Sequence, residues 1–115
     1  MVLPKNSALP DIVTSGQDTV AVRIPDHLVS LDLVIKTGRP LAVTSANLSG
    51  QPTPTTAQGV AEQLGENLPL VLDGGPSSTD QPSTIVDLSS TPPRVLREGT
   101  IGIMKLQEFL PDLIV

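Results

Sequence analysis

The 115-residue chain has no cysteine, tryptophan or tyrosine, and Phe109 is its single aromatic residue. Without cysteine there is no disulfide, no thiolate metal site and no thiol nucleophile. One histidine, His27, cannot build a zinc site of ordinary composition. Basic residues are also scarce: seven Lys and Arg stand against twelve Asp and Glu, giving a formal charge of −5. This balance offers no general attraction for nucleic acid. No apolar run approaches a membrane span, and the opening "MVLPKNSALP" carries no signal-like apolar stretch. A cytoplasmic protein with no membrane partner is the expectation.

What is present is aliphatic. The hydrophobic fraction is 38%, supplied almost entirely by Val, Leu, Ile and Ala, as in α/β proteins whose buried strands are rich in these residues. Apolar runs recur along the whole length, which argues against disorder, and 115 residues suit one domain. Twelve prolines and nine glycines are dispersed and imply many short connections. There is no internal repeat.

Residues 1–18, with Pro4, Pro10 and Gly16, read as an irregular lead. "TVAVRIP" at 19–25 reads as a strand closed by proline. Asp26 stands where a helix N-cap belongs, Leu28, Leu31, Val34 and Ile35 keep a helical stripe, and Gly38 is placed to stop it. "LAV" at 41–43 reads as a short strand. Thr55 and Gln58 have capping-box spacing ahead of a helix with Ala57, Val60, Ala61 and Leu64 on one face. "LPLVLDGG", "STIVDLS" and "RVLREG" read as three further strands, and 104–110 as a short helix stopped by Pro111. The pattern implies an α/β (α+β) fold, a mixed sheet with helices packed on it.

Three places carry chemical potential. In "LAVTSANLSG", Thr44, Ser45, Asn47 and Ser49 crowd the end of an apolar segment. Ligands of open α/β sheets bind beyond strand ends, and uncharged Ser and Asn groups suit phosphate, carboxylate or ribose; a turn that satisfies its own backbone is the alternative. "NLS" also matches a glycosylation sequon, discounted without a secretory signal. Arg23 stands in an otherwise apolar strand and Arg97 follows "VL" before Glu98 and Gly99; a guanidinium at a strand end can grip an oxyanion through two parallel bonds, and a rim ion pair is the alternative. Finally, in "DGGPSSTDQPSTIVD" a tight turn precedes Ser83 and Thr84 at a strand's start, a solvated loop being the alternative. His27 reads as a surface helix residue rather than a base.

"TVAVRIPDH", "PLAVTSANLSG", "LVLDGG", "PSTIVDLS" and "VLREGTI" occur in an order and spacing that closely resemble the YrdC-like family of threonylcarbamoyl-AMP synthases, from about Leu3 to Ile101. The resemblance implies a twisted sheet with helices on its faces around a large, positively lined cavity. It implies an enzyme that takes ATP, L-threonine and bicarbonate to threonylcarbamoyl-adenylate and pyrophosphate, with Mg2+ carried by the nucleotide phosphates. The product serves the modification of adenosine 37 in tRNA, so tRNA is only an indirect partner. By the same resemblance, Arg23, Thr44, Ser45 and Ser83 contact threonine, and Thr19, Asn47, Thr55 and Arg97 contact the nucleotide. No metal ligand and no covalent catalyst is implied among these residues.

The family domain is about twice this length, and its first half carries a Lys-x-Arg motif that handles the ATP phosphates. No Lys-x-Arg occurs here; "KTGR" at 36–39 has the wrong spacing. The expectation is therefore one partial YrdC-like domain spanning 1–115, equivalent to the C-terminal half. Such a chain would be weak or inactive alone. A non-catalytic nucleotide- or RNA-binding or self-associating module is the alternative, as a homodimer paired through open sheet edges.

Overall fold

Residues 2–4, expected within an irregular lead, form an interior strand of a four-stranded sheet. In the computed structural model, which describes residues 1–77 and 81–115, the chain divides into two compact units. One comprises Met1–Pro25 and Gln81–Val115, the other Asp26–Asp80.

The first unit holds the sheet. Its strands are β1 (Val2–Pro4), β2 (Thr19–Ala21), β3 (Ile85–Asp87) and β4 (Arg94–Arg97), in the order β2-β1-β3-β4. β1 runs antiparallel to β2 and parallel to β3, and β3 is antiparallel to β4, so the sheet is mixed as expected. β1 leaves no local signature in the sequence, because it is three residues long and its ladder partners are far away in the chain. No local periodicity announces such a strand, and Pro4, which cannot donate, sits at its end. A four-residue helix, α1 (Asp11–Thr14), follows, with Lys5 ion-paired to Asp11.

Strand 19–25 is shorter than expected. The ladder ends at Ala21, although Val22 still exchanges two hydrogen bonds with Met1. Val86, central in β3 and flanked on both sides, is 5% exposed, as is Leu113; they are the buried apolar side chains among the described residues. The tail helix, α4, is Ile103–Gln107 rather than 104–110. Beyond it the chain returns to cover the β4 edge: Arg94 bridges Ile114 in parallel, and Val95 N–H donates to the Ile114 carbonyl at 2.8 Å. β2 remains an outer strand.

The second unit is helical. α2 (Leu28–Thr37) ends at Gly38, whose φ of +64° is the left-handed conformation that favours glycine. Its N-cap is His27, not Asp26, with Nδ1 accepting from Ser30 N–H at 3.5 Å. α3 (Ala57–Leu64) is capped by Thr56 rather than Thr55: the Thr56 hydroxyl accepts from Gly59 N–H at 3.1 Å. The expected box fails because Gln58 turns forward to Glu62, four residues on. A single 3-10 turn, Gly65–Asn67, closes the helix.

Two expected strands, 41–43 and the apolar run from Leu68, are not in a ladder. Their composition suits a pleated surface, but a strand exists only with a hydrogen-bonded neighbour, and none is present among the unit's described residues. Val43 is accordingly 82% exposed and Leu70 70%.

Candidate functional site

In the second unit the polar cluster closes a loop upon itself. Asn47 Nδ2 donates to the carbonyls of Leu48 at 2.9 Å and Gln51 at 3.0 Å, and its Oδ1 accepts from the Thr53 hydroxyl at 3.2 Å. Gln63, on α3, clamps the same loop: its Oε1 accepts from Leu48 N–H at 2.7 Å and its Nε2 donates to the Pro52 carbonyl at 3.1 Å. Nothing in the spacing singled out Gln63, a polar side chain beside an apolar helix face. The Thr44 hydroxyl donates to the neighbouring Ser45 carbonyl at 3.2 Å. Ser45 is exposed, and its hydroxyl has no hydrogen-bond partner among the described residues.

Beside this loop lies a hollow of about 550 Å³. It is lined by Ala46, by Thr53 to Ala57 at the start of α3, and by the 70–77 stretch with Gly74 and Gly75. Thr55 lines it directly; Ser45 and Asn47 flank its Ala46 wall. Ser77 N–H donates to the Thr55 carbonyl at 2.7 Å, fastening one side to the other. At the expected tight turn, Asp73 Oδ1 accepts from Gly75 N–H at 2.9 Å, and Gly75 has φ +88°. The approach at Gly74 is close: a Cβ there would stand 2.7 Å from the His27 ring. The lining is mostly aliphatic, and its polar side chains, Ser30, Thr53, Thr55, Thr56 and Ser77, are all uncharged hydroxyls that can bond ligand oxygens. Residues 78–80 of the third sequence cluster lie outside the described residues.

In the first unit the register sorts the candidates by sheet end. Val2 pairs with both Ala21 and Asp87, and Asp87 pairs with Arg94. Ile85 pairs with Arg97 at the end of the sheet where β3 begins, and Arg23 follows β2 at that same end. Ser83, just before β3, is there too. Thr19 pairs with Pro4 at the opposite end. The two arginines lie on opposite sides of the sheet, Arg97 at the end of β4 and Arg23 two residues beyond β2.

Arg97 and Ser83 meet directly. The Arg97 Nε–H and Nη2–H both donate to the Ser83 carbonyl, at 3.1 and 2.9 Å. Among the described residues all three lysines pair with carboxylates, whereas Arg23 and Arg97 make no salt bridge. Ser89 donates through both its hydroxyl and its backbone N–H to the Asp87 carboxylate. These bonds, with the charge of Arg94 behind them, hold Asp87 below the ordinary carboxylate range.

Residues 1–99 match the family model Sua5_yciO_yrdC, described as telomere recombination. The chain belongs to this family. Among relatives it is 39% identical over 113 residues to the threonylcarbamoyl-AMP synthase of Pyrococcus abyssi, covering 98% of this chain and 33% of that protein. It is 44% identical over 108 residues to the Bacillus subtilis protein of the same name, covering 93% of this chain and 31% of the relative. The solved structure of P. abyssi Sua5 complexed with L-threonine matches with a TM-score of 0.90 at 39% identity, over 99% of this chain and 34% of that one. The chain thus has a YrdC-like fold and spans about a third of the length of these relatives.

Proposed function

We propose that this chain is the C-terminal half of a threonylcarbamoyl-AMP synthase domain, one partial domain over 1–115, and takes part in forming threonylcarbamoyl-adenylate from ATP, L-threonine and bicarbonate. The observation that carries the proposal is the likeness, at 39% identity and a TM-score of 0.90, to a solved relative complexed with L-threonine. The order of the matched motifs and the lack of a Lys-x-Arg in these residues support the assignment to the C-terminal half.

In this role Arg23, Thr44, Ser45 and Ser83 serve threonine, and Thr19, Asn47, Thr55 and Arg97 serve the nucleotide. Adenylation requires an oxygen of the threonine-derived carbamate to attack the α-phosphorus of ATP as pyrophosphate leaves. Guanidinium groups and fixed neutral donors stabilise the charge that develops on the phosphoryl oxygens, and holding the reactants together supplies much of the rate. Among the described residues no cluster of carboxylate or imidazole groups could hold a metal ion. In this reading an ion accompanying ATP is carried by the nucleotide's phosphates. The product's destination, tRNA, touches the chain only indirectly.

ATP–pyrophosphate exchange dependent on threonine and bicarbonate tests the assignment. The 115-residue chain alone is expected near background, because each charge-assisted hydrogen bond missing from the phosphates is worth about 1.5–3 kcal/mol. Fusion to a Lys-x-Arg-bearing N-terminal half from the B. subtilis relative is expected to restore exchange. Robust turnover by the chain alone overturns the half-domain assignment, and an inactive, folded fusion overturns the function.

A second reading, self-association, is favoured by the outer strand β2, beside which Val22 and Ile24 are exposed, Ile24 by 78%. Light scattering is expected to show a concentration-dependent dimer, and a monomer at all concentrations removes it.

A further inference from the structure

Thr84 has no part in the contacts assigned above, yet its hydroxyl is the most heavily bonded side-chain group among the described residues of the first unit. It accepts from Gly99 N–H and from Ile101 N–H, each at 3.0 Å, and donates to the Ile101 carbonyl at 2.7 Å. One donor and two acceptor sites exhaust what a hydroxyl has. The bonds tie the residue just after Ser83 to the residues just after Arg97. Gly99 is pressed into the same knot: a Cβ there would overlap the Pro82 carbonyl oxygen and come within 2.7 Å of the Ser83 and Thr84 backbone. Thr100 N–H adds a bond to the Pro82 carbonyl at 3.3 Å.

The knot bears on the guanidinium beside it. Arg97 uses one edge, Nε–H and Nη2–H, on the Ser83 carbonyl. Its other edge, formed by Nη1 and Nη2, is bonded to nothing among the described residues. A guanidinium so anchored loses the rotational freedom of a long exposed side chain before any ligand arrives, and its free edge matches two oxygens of one anion. Both anchor points, the Ser83 carbonyl and the Arg97 backbone, lie beside segments that the Thr84 hydroxyl joins.

Resting on the nucleotide role proposed for Arg97, we infer that Thr84 is its positioning residue, holding the guanidinium on the Ser83 carbonyl so that its outer edge is presented to an oxyanion, a phosphate or a carboxylate. Substitution by valine keeps the shape but removes all three bonds, leaving two N–H groups without an acceptor. Substitution by serine keeps the hydroxyl.

The test is proton exchange at Arg97 Nε–H, followed by NMR on the 15N-labelled 115-residue chain and compared with Arg23, whose guanidinium makes no hydrogen bond among the described residues. Exchange at Arg97 is expected to be slower by about tenfold, in line with one net hydrogen bond. T84V is expected to abolish that difference and T84S to keep it. In the ligand arms, AMP and L-threonine are titrated separately: a phosphate partner shifts Arg97 with AMP, a carboxylate partner with L-threonine. T84V is expected to weaken the responding ligand about tenfold, with T84S near the parent value.

Unchanged Arg97 exchange in T84V overturns the inference, as does equal loss in T84S and T84V. Should T84V not fold, the parent chain still decides: Gly99 and Ile101 amides that exchange as fast as open-loop amides overturn it, and slow exchange at both supports it. Failure of the nucleotide role is separate and is read in the parent chain, where Arg97 would not respond to AMP, whether or not it responds to L-threonine.

Discussion

The two units of this chain handle their aliphatic residues in different ways. In the first, strands drawn from both ends of the sequence are laddered together, and Val86 and Leu113 are buried. In the second, the helices are properly capped and stopped, yet Leu28 at the start of α2 is 85% exposed and two strand-like runs have no ladder. Local rules were met in both. The difference is in long-range pairing, which turns an apolar stretch into buried structure only when a neighbour is present.

The contrast can be broken by equal truncations in the two units. Leu113→Ala is expected to destabilise the first unit by about 2–5 kcal/mol, the usual cost of emptying a buried leucine site. Leu28→Ala, the same deletion in the second unit, is expected to change stability by no more than about 0.5 kcal/mol. Urea unfolding of both variants measures this, and equal shifts in midpoint would mean that α2 packs its exposed face after all.

A smaller effect sharpens the picture of the sheet. Asp87 sits below the ordinary carboxylate range because Ser89 and Arg94 favour its charged form. The unfolded chain binds a proton at this group more readily than the folded one, so the contribution is complete above about pH 4, the unfolded carboxylate value. It is lost as pH falls below that through the folded value. Asp87→Asn is therefore expected to unfold at a lower urea concentration than the parent at neutral pH, with the gap closing in acid. A gap that stays constant down to the lowest pH would show that the carboxylate charge contributes nothing.

Legibility in the sequence followed the range of the interaction. Gly38 as a helix stop, the helical face of Ala57, Val60 and Leu64, and the strands holding Val86 and Val95 were readable because each depends on neighbours a few residues away. Caps slipped by one residue, Asp26 to His27 and Thr55 to Thr56, since adjacent polar side chains offer similar acceptors and the helix phase chooses between them. β1 was missed because its partners lie at 19–21 and 87. The candidate site divided likewise. Ser83 and Arg97 were singled out one by one, but their direct contact depends on the pairing of β3 with β4. Gln63, which clamps one polar loop, resembles an ordinary polar residue until its partners are seen, and Thr84, noted as a hydroxyl at a strand's start, ties instead to Gly99 and Ile101.

By itself the sequence determined the aliphatic α/β character, the absence of thiol and zinc chemistry, the family, and the residue types available to bind an oxyanion. Composition and short-range spacing suffice for these. Tertiary structure alone decided that Arg97 rests on the Ser83 carbonyl, that Asn47 and Gln63 close the polar loop, and that residues 2–4 lie inside the sheet. Each of these needs two segments distant in the chain to meet, and a hydrogen bond between them has no signature in either segment alone.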